Sequence, residues 1–254
     1  MHRFHLPPEQ CAGPMLVLSE REAHHGLHVL RLRGGDRVTV LDGAGGVHAC
    51  EVADARRHEL RLKVVERKQI PPLPWRITLL QAIPKGKLFD TILQKATELG
   101  AHRIVPLLTE RVVTQLDDDK AESKLEHWRA IVIEAIKQSG AAWLPEVTPP
   151  MTPAQFLARG DQFDLPLIGS LRAGARHPRE WFRAFAAGHG RAAQTLGAWV
   201  GPEGDFTPAE LDAAEAAGAR PITLGRLVLR CDTAAVSCLS VMQYEMQASV
   251  PSAE

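Results

Sequence analysis

The stretch Trp199–Thr233 reads WVGPEGDFTPAELDAAEAAGARPITLGRLVLRCDT and contains two irregular loops. These are the GPEGDF loop (residues 201–206) and the LGRLVLRCD loop (residues 224–232). An apolar run precedes each loop and a helix signal follows it, so both loops are predicted to leave the carboxyl ends of strands. Ligands of open α/β sheets bind at that edge. The stretch therefore predicts an α/β fold with a ligand site formed by the two loops.

Helix signals separate and follow the two loops. The segment TPAE at 207–210 predicts an N-cap threonine, a proline in the first turn and a capping-box glutamate, and Gly218 fits the position just after that helix. A short strand is predicted at Pro221–Leu224. Asp232 and Thr233 then predict the cap of a last helix that runs to about Gln247.

Upstream, from Trp75, strands alternate with helices, which is typical of α/β domains. Helices are predicted around the apolar stripe from Leu88 to Leu99, from the acidic run 117–119 to Gly140, after Thr152-Pro153, and over Pro178–Ala187. Strands are predicted over Ile77–Ile83, Arg103–Leu108, Asp164–Gly169 and Thr195–Gly201.

Residues 1–70 follow a different pattern and predict a small β domain. A helix capped by Ser19, with a capping-box glutamate at Glu22, interrupts the strands. Strands are predicted at Arg3–Leu6, Pro14–Leu18, Arg37–Leu41, Val47–Val52 and Leu60–Val65, with a hairpin turn at 42–46. Three prolines within residues 71–74 cannot continue a sheet, so the predicted domains are 1–70 and 75–249.

Composition indicates an ordinary globular protein of 254 residues, 45% apolar and 24% charged, with no net charge. No apolar run reaches the length of a membrane span and no signal-peptide pattern is present, so a cytoplasmic protein is expected. Four cysteines without a CxxC pair fit reduced thiols. The first 70 residues hold 7 of the 11 histidines and a small basic excess, which weakly favours a polyanionic partner over a plain solvated surface.

Several common site types are excluded by the motifs. The chain has no GxxxxGK[ST] loop, no GxGxxG after a strand and no GxSxG elbow, so P-loop, Rossmann and serine-hydrolase chemistry are disfavoured. His24, His25 and His28 share a helical region, but no carboxylate or cysteine completes an evident ligand set, so no metal site is predicted.

The two loops offer groups that suit a flat heterocyclic ligand. Gly201 and Gly204 expose backbone N–H groups, Glu203 adds a carboxylate, and Leu227–Leu229 adds extended backbone and apolar surface. The Arg226 and Arg230 side chains are predicted to point outward from this extended loop. Alone, GPEG fits a plain surface turn; the presence of both loops favours a ligand site.

The chain resembles the RsmE family of knotted (SPOUT) methyltransferases. The resemblance rests on GPEGDF and LGRLVLRCDTA together with HGLHVLRLRGGD (25–36), ILQKATELG (92–100), IVPL (104–107), TER (109–111) and EAIKQSG (134–140). It covers essentially the whole chain, and the order of the motifs makes it more specific than any one of them.

The resemblance implies a PUA-like RNA-binding β-barrel domain followed by an α/β domain with a C-terminal trefoil knot. It implies S-adenosylmethionine as methyl donor, a homodimer with active sites near the subunit interface, and methylation of N3 of a uridine of 16S rRNA near the decoding centre. The substrate that the resemblance implies is the rRNA or the assembled small ribosomal subunit. Carried over, the donor contacts are Gly201, Pro202, Glu203, Gly204, Leu224, Gly225, Leu227, Val228, Leu229 and Arg230.

The chain departs from the family pattern at three places. Asp205 stands where the family motif GPEGG has its last glycine, Cys231-Asp232 replaces Thr-Glu, and Ala141 or Ala142 stands where an arginine commonly follows the QS segment. These departures leave two alternatives open. One is a non-catalytic rRNA-binding protein with a degenerate site, and the other is a knotted methyltransferase acting on another RNA.

The chemistry of methyl transfer to uracil N3 assigns candidate roles. The N3 proton must leave, so Arg230 is the candidate for stabilising negative charge on a uracil carbonyl oxygen, with Glu203 and Asp232 as candidate bases or orienting groups. A structural role is the alternative for each, since Asp232 can cap the last helix or pair with Arg230. Basic and histidine side chains are the candidate RNA contacts: Arg3, His25, His28, Arg31, Arg33, Lys85 and Lys87.

Overall fold

The computed structural model describes residues 2–56, 58–111 and 118–249, which form two compact units. The first unit comprises residues 1–72 and 133–144, and the second comprises residues 73–132 and 145–254. The division at residue 72 lies within the proline-rich segment that separates the predicted domains. The assignment of residues 133–144 to the first unit differs from the prediction, because helical periodicity shows a continuous helix and not which core each part of it joins.

The first unit is built on a five-stranded sheet in the order β1-β3-β4-β5-β2. Strands β1 and β3 pair in parallel and the other pairs are antiparallel. Apolar residues alternate along the strands and face one core, which includes Phe4, Leu16, Leu18, Val38, Val40, Leu60 and Leu62. The strands are β1 (His2–His5), β2 (Met15–Leu18), β3 (Arg37–Leu41), β4 (Gly46–Arg56) and β5 (Glu59–Gln69).

The predicted helix after β2 is divided into two parts. An α-helix α1 (Glu20–His24) continues as a π-helical turn over His25–Val29. The predicted capping box is wrong: Ser19 makes no side-chain cap, and the Glu22 carboxylate instead pairs with the Lys137 ammonium at 2.7 Å. Gly26 lets this segment press on the sheet, since a Cβ there would lie 2.3 Å from Leu60 Cδ1.

The second unit is built on a six-stranded sheet in the order β11-β9-β10-β6-β7-β8, with every pair parallel. The strands are β6 (Arg76–Ala82), β7 (Arg103–Leu107), β8 (Glu146–Val147), β9 (Leu165–Gly169), β10 (Thr195–Val200) and β11 (Arg220–Ile222). The helices numbered after α1 are α2 (Leu88–Glu98), α3 (Asp118–Ser139), α4 (Pro153–Ala158), α5 (Pro178–His189), α6 (Pro208–Ala216) and α7 (Cys231–Ala248). The predicted α/β class and the β domain before it are confirmed; the threading of a knot stays a prediction.

Most predicted helix ends agree with the structure, and one does not. Thr207 and Glu210 form the predicted capping box of α6, and Gly218 follows that helix at φ +101°. The predicted cap at Asp232 is wrong, because α7 begins at Cys231 and Arg230 holds the extended backbone of the N-cap. Asp117, part of the predicted start of α3, lies outside the described residues.

The order of the strands positions the site. Strands β11, β9 and β10 are neighbours and run parallel, so their carboxyl ends at Ile222, Gly169 and Val200 meet at one edge. Strand β6 pairs with the other side of β10 and ends at Ala82. Within the described residues, the helices are too short or too polar to span a lipid bilayer.

Candidate functional site

A cavity of about 310 Å³ opens at the carboxyl ends of β11, β9 and β10. We call it the donor cavity, after the methyl donor that the resemblance implies. Both predicted loops contribute to its wall, together with the start of α7. Its lining residues are Gly169, Ser170, Leu171, Val200, Gly201, Pro202, Glu203, Asp205, Ile222, Thr223, Leu224, Gly225, Leu227, Val228, Leu229, Arg230, Cys231, Ala234 and Cys238.

The structure brings together every predicted donor contact except Gly204, which does not line the cavity. The sequence prediction missed Ser170 and Leu171, although the strand ending at Gly169 was predicted and the strand-end rule could have indicated them. It also missed Ala234 and Cys238 of α7. No sequence signal identifies those two, because the side of a helix that faces a loop depends on tertiary packing.

The GPEGDF loop is held by hydrogen bonds from outside it. The Arg111 guanidinium donates to the carbonyl oxygens of Gly204 and Phe206. The backbone N–H of Lys85 donates to Glu203 Oε1 at 3.1 Å. The loop is therefore fixed from two neighbouring segments, one after β7 and one after β6.

Asp205 occupies a backbone conformation that glycine adopts readily. Its φ is +60°, in the left-handed region that aspartate tolerates better than most residues. Its Oδ1 accepts a hydrogen bond from the N–H of Phe206 at 2.8 Å. A Cβ on Gly201 would lie 2.8 Å from that same oxygen, so a side chain at 201 would force this turn to shift.

The LGRLVLRCD loop has few contacts of its own. The Thr223 hydroxyl donates to the Gly225 carbonyl at 3.0 Å, and Gly225 has φ +126°. Leu227 and Val228 are exposed although both line the donor cavity. Arg230 is exposed too, and among the described residues its guanidinium has no ion-pair partner.

The three catalytic candidates occupy different positions. Arg230 and Glu203 line the donor cavity, whereas Asp232 does not. Asp232 lies in the first turn of α7, and its Oδ1 is buried without a hydrogen-bond partner in the described part of the chain. Burial raises the pKa of the Cys231 thiol to about 11, with Glu203 adding to the effect, so this cavity thiol is protonated at neutral pH.

The RNA candidates are dispersed. In the second unit, Lys85 and Lys87 are exposed, and the Lys85 backbone contacts Glu203 of the donor cavity. In the first unit, His28, Arg31 and Arg33 are exposed on and just after the π-helical turn.

Two further candidates of the first unit have structural roles. His25 is half-buried, with its ring edge-on to Phe4 at 6.2 Å between centroids. The Arg3 guanidinium donates to the carbonyls of Lys137 and Gln138 at 3.1 and 2.9 Å. Arg3 thereby satisfies carbonyl groups at the end of α3.

His24, His25 and His28 lie on one continuous helical segment. The rings of His24 and His28 lie 4.8 Å apart, and His24 is exposed. Over residues 2–56, 58–111 and 118–249, no three His, Cys, Asp or Glu side chains are gathered as ligands of a metal ion would be. The four cysteines are free.

Two family models match the chain. Residues 71–243 match a model described as an RNA methyltransferase domain, and residues 18–65 match one described as an RNA methyltransferase PUA domain. The first match includes both loops of the donor cavity, and the second lies within the five-stranded unit.

The chain is similar to curated proteins over most of its length. It is 36% identical to the ribosomal RNA small subunit methyltransferase E of Synechocystis sp., with 94% of this chain and 76% of that protein covered. It is 29% identical to the protein of the same name from Bacillus subtilis, with 92% of each covered.

Solved structures with similar folds contain a ligand. The ribosomal RNA small subunit methyltransferase E of Neisseria gonorrhoeae, bound to S-adenosylmethionine, superposes with a TM-score of 0.83 at 30% identity, covering 96% of this chain and 97% of that one. The methyltransferase Lpg2936 of Legionella pneumophila, in complex with the same cofactor, gives 0.85 at 30% identity, covering 95% and 96%.

Proposed function

The chain belongs to the RNA methyltransferase family that includes the ribosomal RNA small subunit methyltransferases E, and from this premise we propose that it methylates N3 of one uridine of 16S rRNA near the decoding centre. As a member of that family it is an S-adenosylmethionine-dependent rRNA methyltransferase. The proposal goes beyond this activity by specifying the uridine, its N3 position and its place in the ribosome. The observation that carries it is that both loops of the family motifs line one cavity.

The residues of the donor cavity fit S-adenosylmethionine. The cavity is large enough for a small molecule, and its wall is mostly apolar side chain and loop backbone. Leu227 and Leu229 offer apolar surface for an adenine ring, and the loop backbone offers hydrogen bonds to its edge. Bound there, S-adenosylmethionine supplies a methyl group on a positively charged sulfur.

The side chains at the cavity then have distinct tasks. Uracil N3 carries a proton, and removing it places negative charge on the neighbouring carbonyl oxygens. The Arg230 guanidinium lines the cavity without an ion-pair partner among the described residues, so it is free to stabilise that charge. Glu203 also lines the cavity and is the better placed of the two carboxylates to accept the proton, since Asp232 lies outside the wall.

The RNA is held by cations next to the cavity. Lys85 and Lys87 are exposed on the segment whose backbone contacts Glu203, so they can bind phosphates while the target base enters the cavity. We assign the first unit to further RNA contact through Arg31 and Arg33. Affinity for RNA should therefore fall as salt concentration rises.

A homodimer and a cytoplasmic location complete the proposal. Leu171, Leu227 and Val228 are exposed apolar residues grouped around the donor cavity. Apolar groups of this kind mark interaction surfaces, and a second copy of the chain is the proposed partner. Light scattering should give about twice the chain mass of 27.8 kDa; the mass of one chain would contradict the dimer.

The decisive experiment is methylation in vitro of small ribosomal subunits and, separately, of naked 16S rRNA, followed by mapping of the modified base. A methyl group on N3 of a single uridine supports the proposal, and one on another base or on tRNA alone contradicts it. Calorimetry with S-adenosylmethionine distinguishes the non-catalytic alternative. A protein that binds the rRNA but neither binds the donor nor transfers the methyl group would be a binding protein only.

A further inference from the structure

Two arginines of the second unit lie over one tryptophan. The guanidinium carbons of Arg176 and Arg220 are 5.0 and 5.4 Å from the centre of the Trp181 ring. Both arginines are exposed, whereas Trp181 is half-buried near the start of α5. We call these three residues the Arg–Trp cluster. Nothing in the proposed function assigns it a role.

Hydrogen bonds fix the backbone around the cluster. The Trp181 indole N–H donates to the Pro221 carbonyl at 3.1 Å, which orients the ring. The Arg176 N–H donates to the same carbonyl at 3.2 Å, and the Arg176 carbonyl accepts from the N–H of Thr223 at 3.0 Å. Strand β11 is the last strand of its sheet, so the segment around Arg176 is anchored along the outer edge of that strand.

The strand register brings both arginines to one face of the sheet. Arg176 pairs in parallel with Ile222, and Arg220 lies two residues before Ile222 on β11. Because side chains alternate between the two faces of a strand, these three residues share a face. The Trp181 ring meets both guanidinium groups there, which holds two positive charges close together.

These two arginines differ from their neighbours in having no carboxylate partner. Arg172 and Arg179, which precede and follow Arg176 in the sequence, make ion pairs with carboxylates at 2.6 and 2.7 Å. Among the described residues, neither Arg176 nor Arg220 has an ion-pair partner. The cluster therefore presents two positive charges to solvent without a counter-charge from the described part of the chain.

Guanidinium groups over an aromatic ring remain able to bind an anion. The ring attracts each group through its π electrons and takes up none of its positive charge in an ion pair. The planar fork of N–H donors matches the paired oxygens of a phosphate. The ring also restricts these long side chains before a ligand arrives, which lowers the entropic cost of binding. Two such groups close together favour a polyanion with closely spaced charges.

The cluster lies beside the donor cavity. Ile222 and Thr223, whose backbones pair with that of Arg176, both line the cavity. An RNA whose target base enters the cavity must continue across its rim in both directions. The nucleotides on one side of the target base therefore have a pair of cations available at this flank.

We propose that the Arg–Trp cluster binds the phosphodiester backbone of the rRNA next to the target nucleotide. Arg176 and Arg220 contact phosphates, and Trp181 is a positioning residue that holds their side chains in place. Phosphate contacts fix the register of a nucleic acid and carry no sequence information, so the cluster adds affinity without selecting bases. The inference rests on the proposed function in taking rRNA as the ligand.

The test is binding of naked 16S rRNA to the full-length protein, without methyl donor, over a series of KCl concentrations. The double variant Arg176→Gln/Arg220→Gln should bind about tenfold more weakly at low salt, because two charge-assisted hydrogen bonds are lost. The slope of log K against log salt should become shallower by about 1.5, since each phosphate contact contributes about 0.7 to 0.9. Each single variant should give about half of that change in slope.

Arg183→Gln is the matched control for the single variants. Arg183 is an exposed arginine of the same helix, and in the described part of the chain it has neither an ion-pair partner nor a contact with the Trp181 ring. The control removes the same charge and should leave the slope unchanged. An equal change of slope in Arg183→Gln and Arg176→Gln would show that only net charge matters, and would overturn the proposal.

The remaining outcomes separate RNA from other partners. Circular dichroism and light scattering should show the double variant folded and with the mass of the original protein. A lower mass would make the cluster a contact between subunits, and weaker binding to small ribosomal subunits but not to naked rRNA would make it a contact for a ribosomal protein. Either result overturns the proposal, as does an original chain that binds naked 16S rRNA without salt dependence or not at all.

The test also distinguishes this inference from the proposed function. Binding is measured without methyl transfer, so a chain that binds rRNA through the cluster and fails to methylate it would sink the proposed function and leave the inference standing. Methylation of uridine N3 by a double variant whose salt slope equals that of the original chain would do the reverse.

Discussion

The GPEGDF loop and the LGRLVLRCD loop line the same cavity, yet they are held in different ways. Arg111 and the Lys85 backbone anchor the first, and Asp205 closes it with a local hydrogen bond. In the second loop, Leu227 and Val228 are 79% and 76% exposed. One loop is a preformed wall, whereas the other presents side chains that are exposed in the described part of the chain.

This difference assigns separate tasks to the two loops. Preformed groups bind a ligand without the entropic cost of ordering a loop, so we expect the GPEGDF loop to set much of the affinity for the donor. Exposed groups contribute when a partner covers them. We therefore expect the side chains of the LGRLVLRCD loop, above all Arg230, to act when RNA or a second copy of the chain is bound.

The largest effect is predicted for Arg230→Ala. Turnover should fall about 100-fold, as it does when one group that stabilises developing negative charge is removed. The affinity for S-adenosylmethionine should change little, and α7 should remain intact because the Arg230 side chain makes no cap hydrogen bond. Single-turnover kinetics and calorimetry measure the two quantities.

Arg226→Ala is the matched control for that prediction. Arg226 is an exposed arginine of the same loop but does not line the donor cavity. Its removal should lower RNA affinity slightly and leave the chemical step unchanged. Near-normal turnover of Arg230→Ala with the donor bound normally would contradict the catalytic role of Arg230.

The next effect is predicted for Gly201→Ala in the preformed loop. The new Cβ would lie 2.8 Å from Asp205 Oδ1 and 3.2 Å from the Phe206 nitrogen, so the turn must shift. We expect donor affinity to fall about tenfold, which is about 1.4 kcal/mol. Gly204→Ala is the control, because a Cβ there makes only an ordinary contact at 3.4 Å with Arg111 Cδ. Equal donor affinity of the two variants would show that the wall is not preformed.

The sequence predicted the parts of this site that depend on local chemistry. The helix between the loops could be placed because its end signals are local. Thr207 is the N-cap, Glu210 is its capping-box partner, and Gly218 has the left-handed conformation that follows the helix. The resemblance indicated the loops as a donor site, and the cavity contains nearly all the residues it implied.

Other features depend on contacts between distant segments and have no local pattern. Glu22 could have been the capping-box partner of Ser19, but it pairs with Lys137, over a hundred residues later. The support of the GPEGDF loop by Arg111 and the return of residues 133–144 to the first unit are of the same kind. Each requires knowledge of which segments pack together, which periodicity does not contain.

A smaller effect is predicted for Asp205, which the resemblance matches to a glycine. Asp205→Val places a β-branched side chain at φ +60° and should lower the free energy of unfolding by about 1 kcal/mol. Asp205→Asn should be nearly neutral, since asparagine tolerates that region and its amide oxygen can still accept from Phe206. Urea unfolding compares the two variants; equal destabilisation would mean that the backbone conformation of this turn is not what selects the residue.

The smallest effect on the donor cavity is predicted at the opposite end of the sheet, where the chain enters β9 and β10. Hydrogen bonds from the Arg191 guanidinium, aided by the N–H groups of Gln194 and Thr195, hold the pKa of Asp164 well below its usual range, against the effect of burial. The carboxyl of the unfolded chain takes up its proton near pH 3.9, before the folded one does. The stabilisation is therefore fully present above about pH 5 and is lost as the pH falls through and below about 4.

Asp164→Asn should unfold more easily at pH 7, and its free energy of unfolding should approach that of the original chain as the pH is lowered to about 2. Urea unfolding across that range measures the difference, with Asp212→Asn, which removes an exposed ion pair to Arg172, as the control that should stay parallel to the original chain. Donor affinity at pH 7 should be equal in all three proteins, because this end of the sheet supports the loops without lining their cavity. A difference in the free energy of unfolding between Asp164→Asn and the original chain that stays constant with pH would show that the carboxylate does not act through its charge.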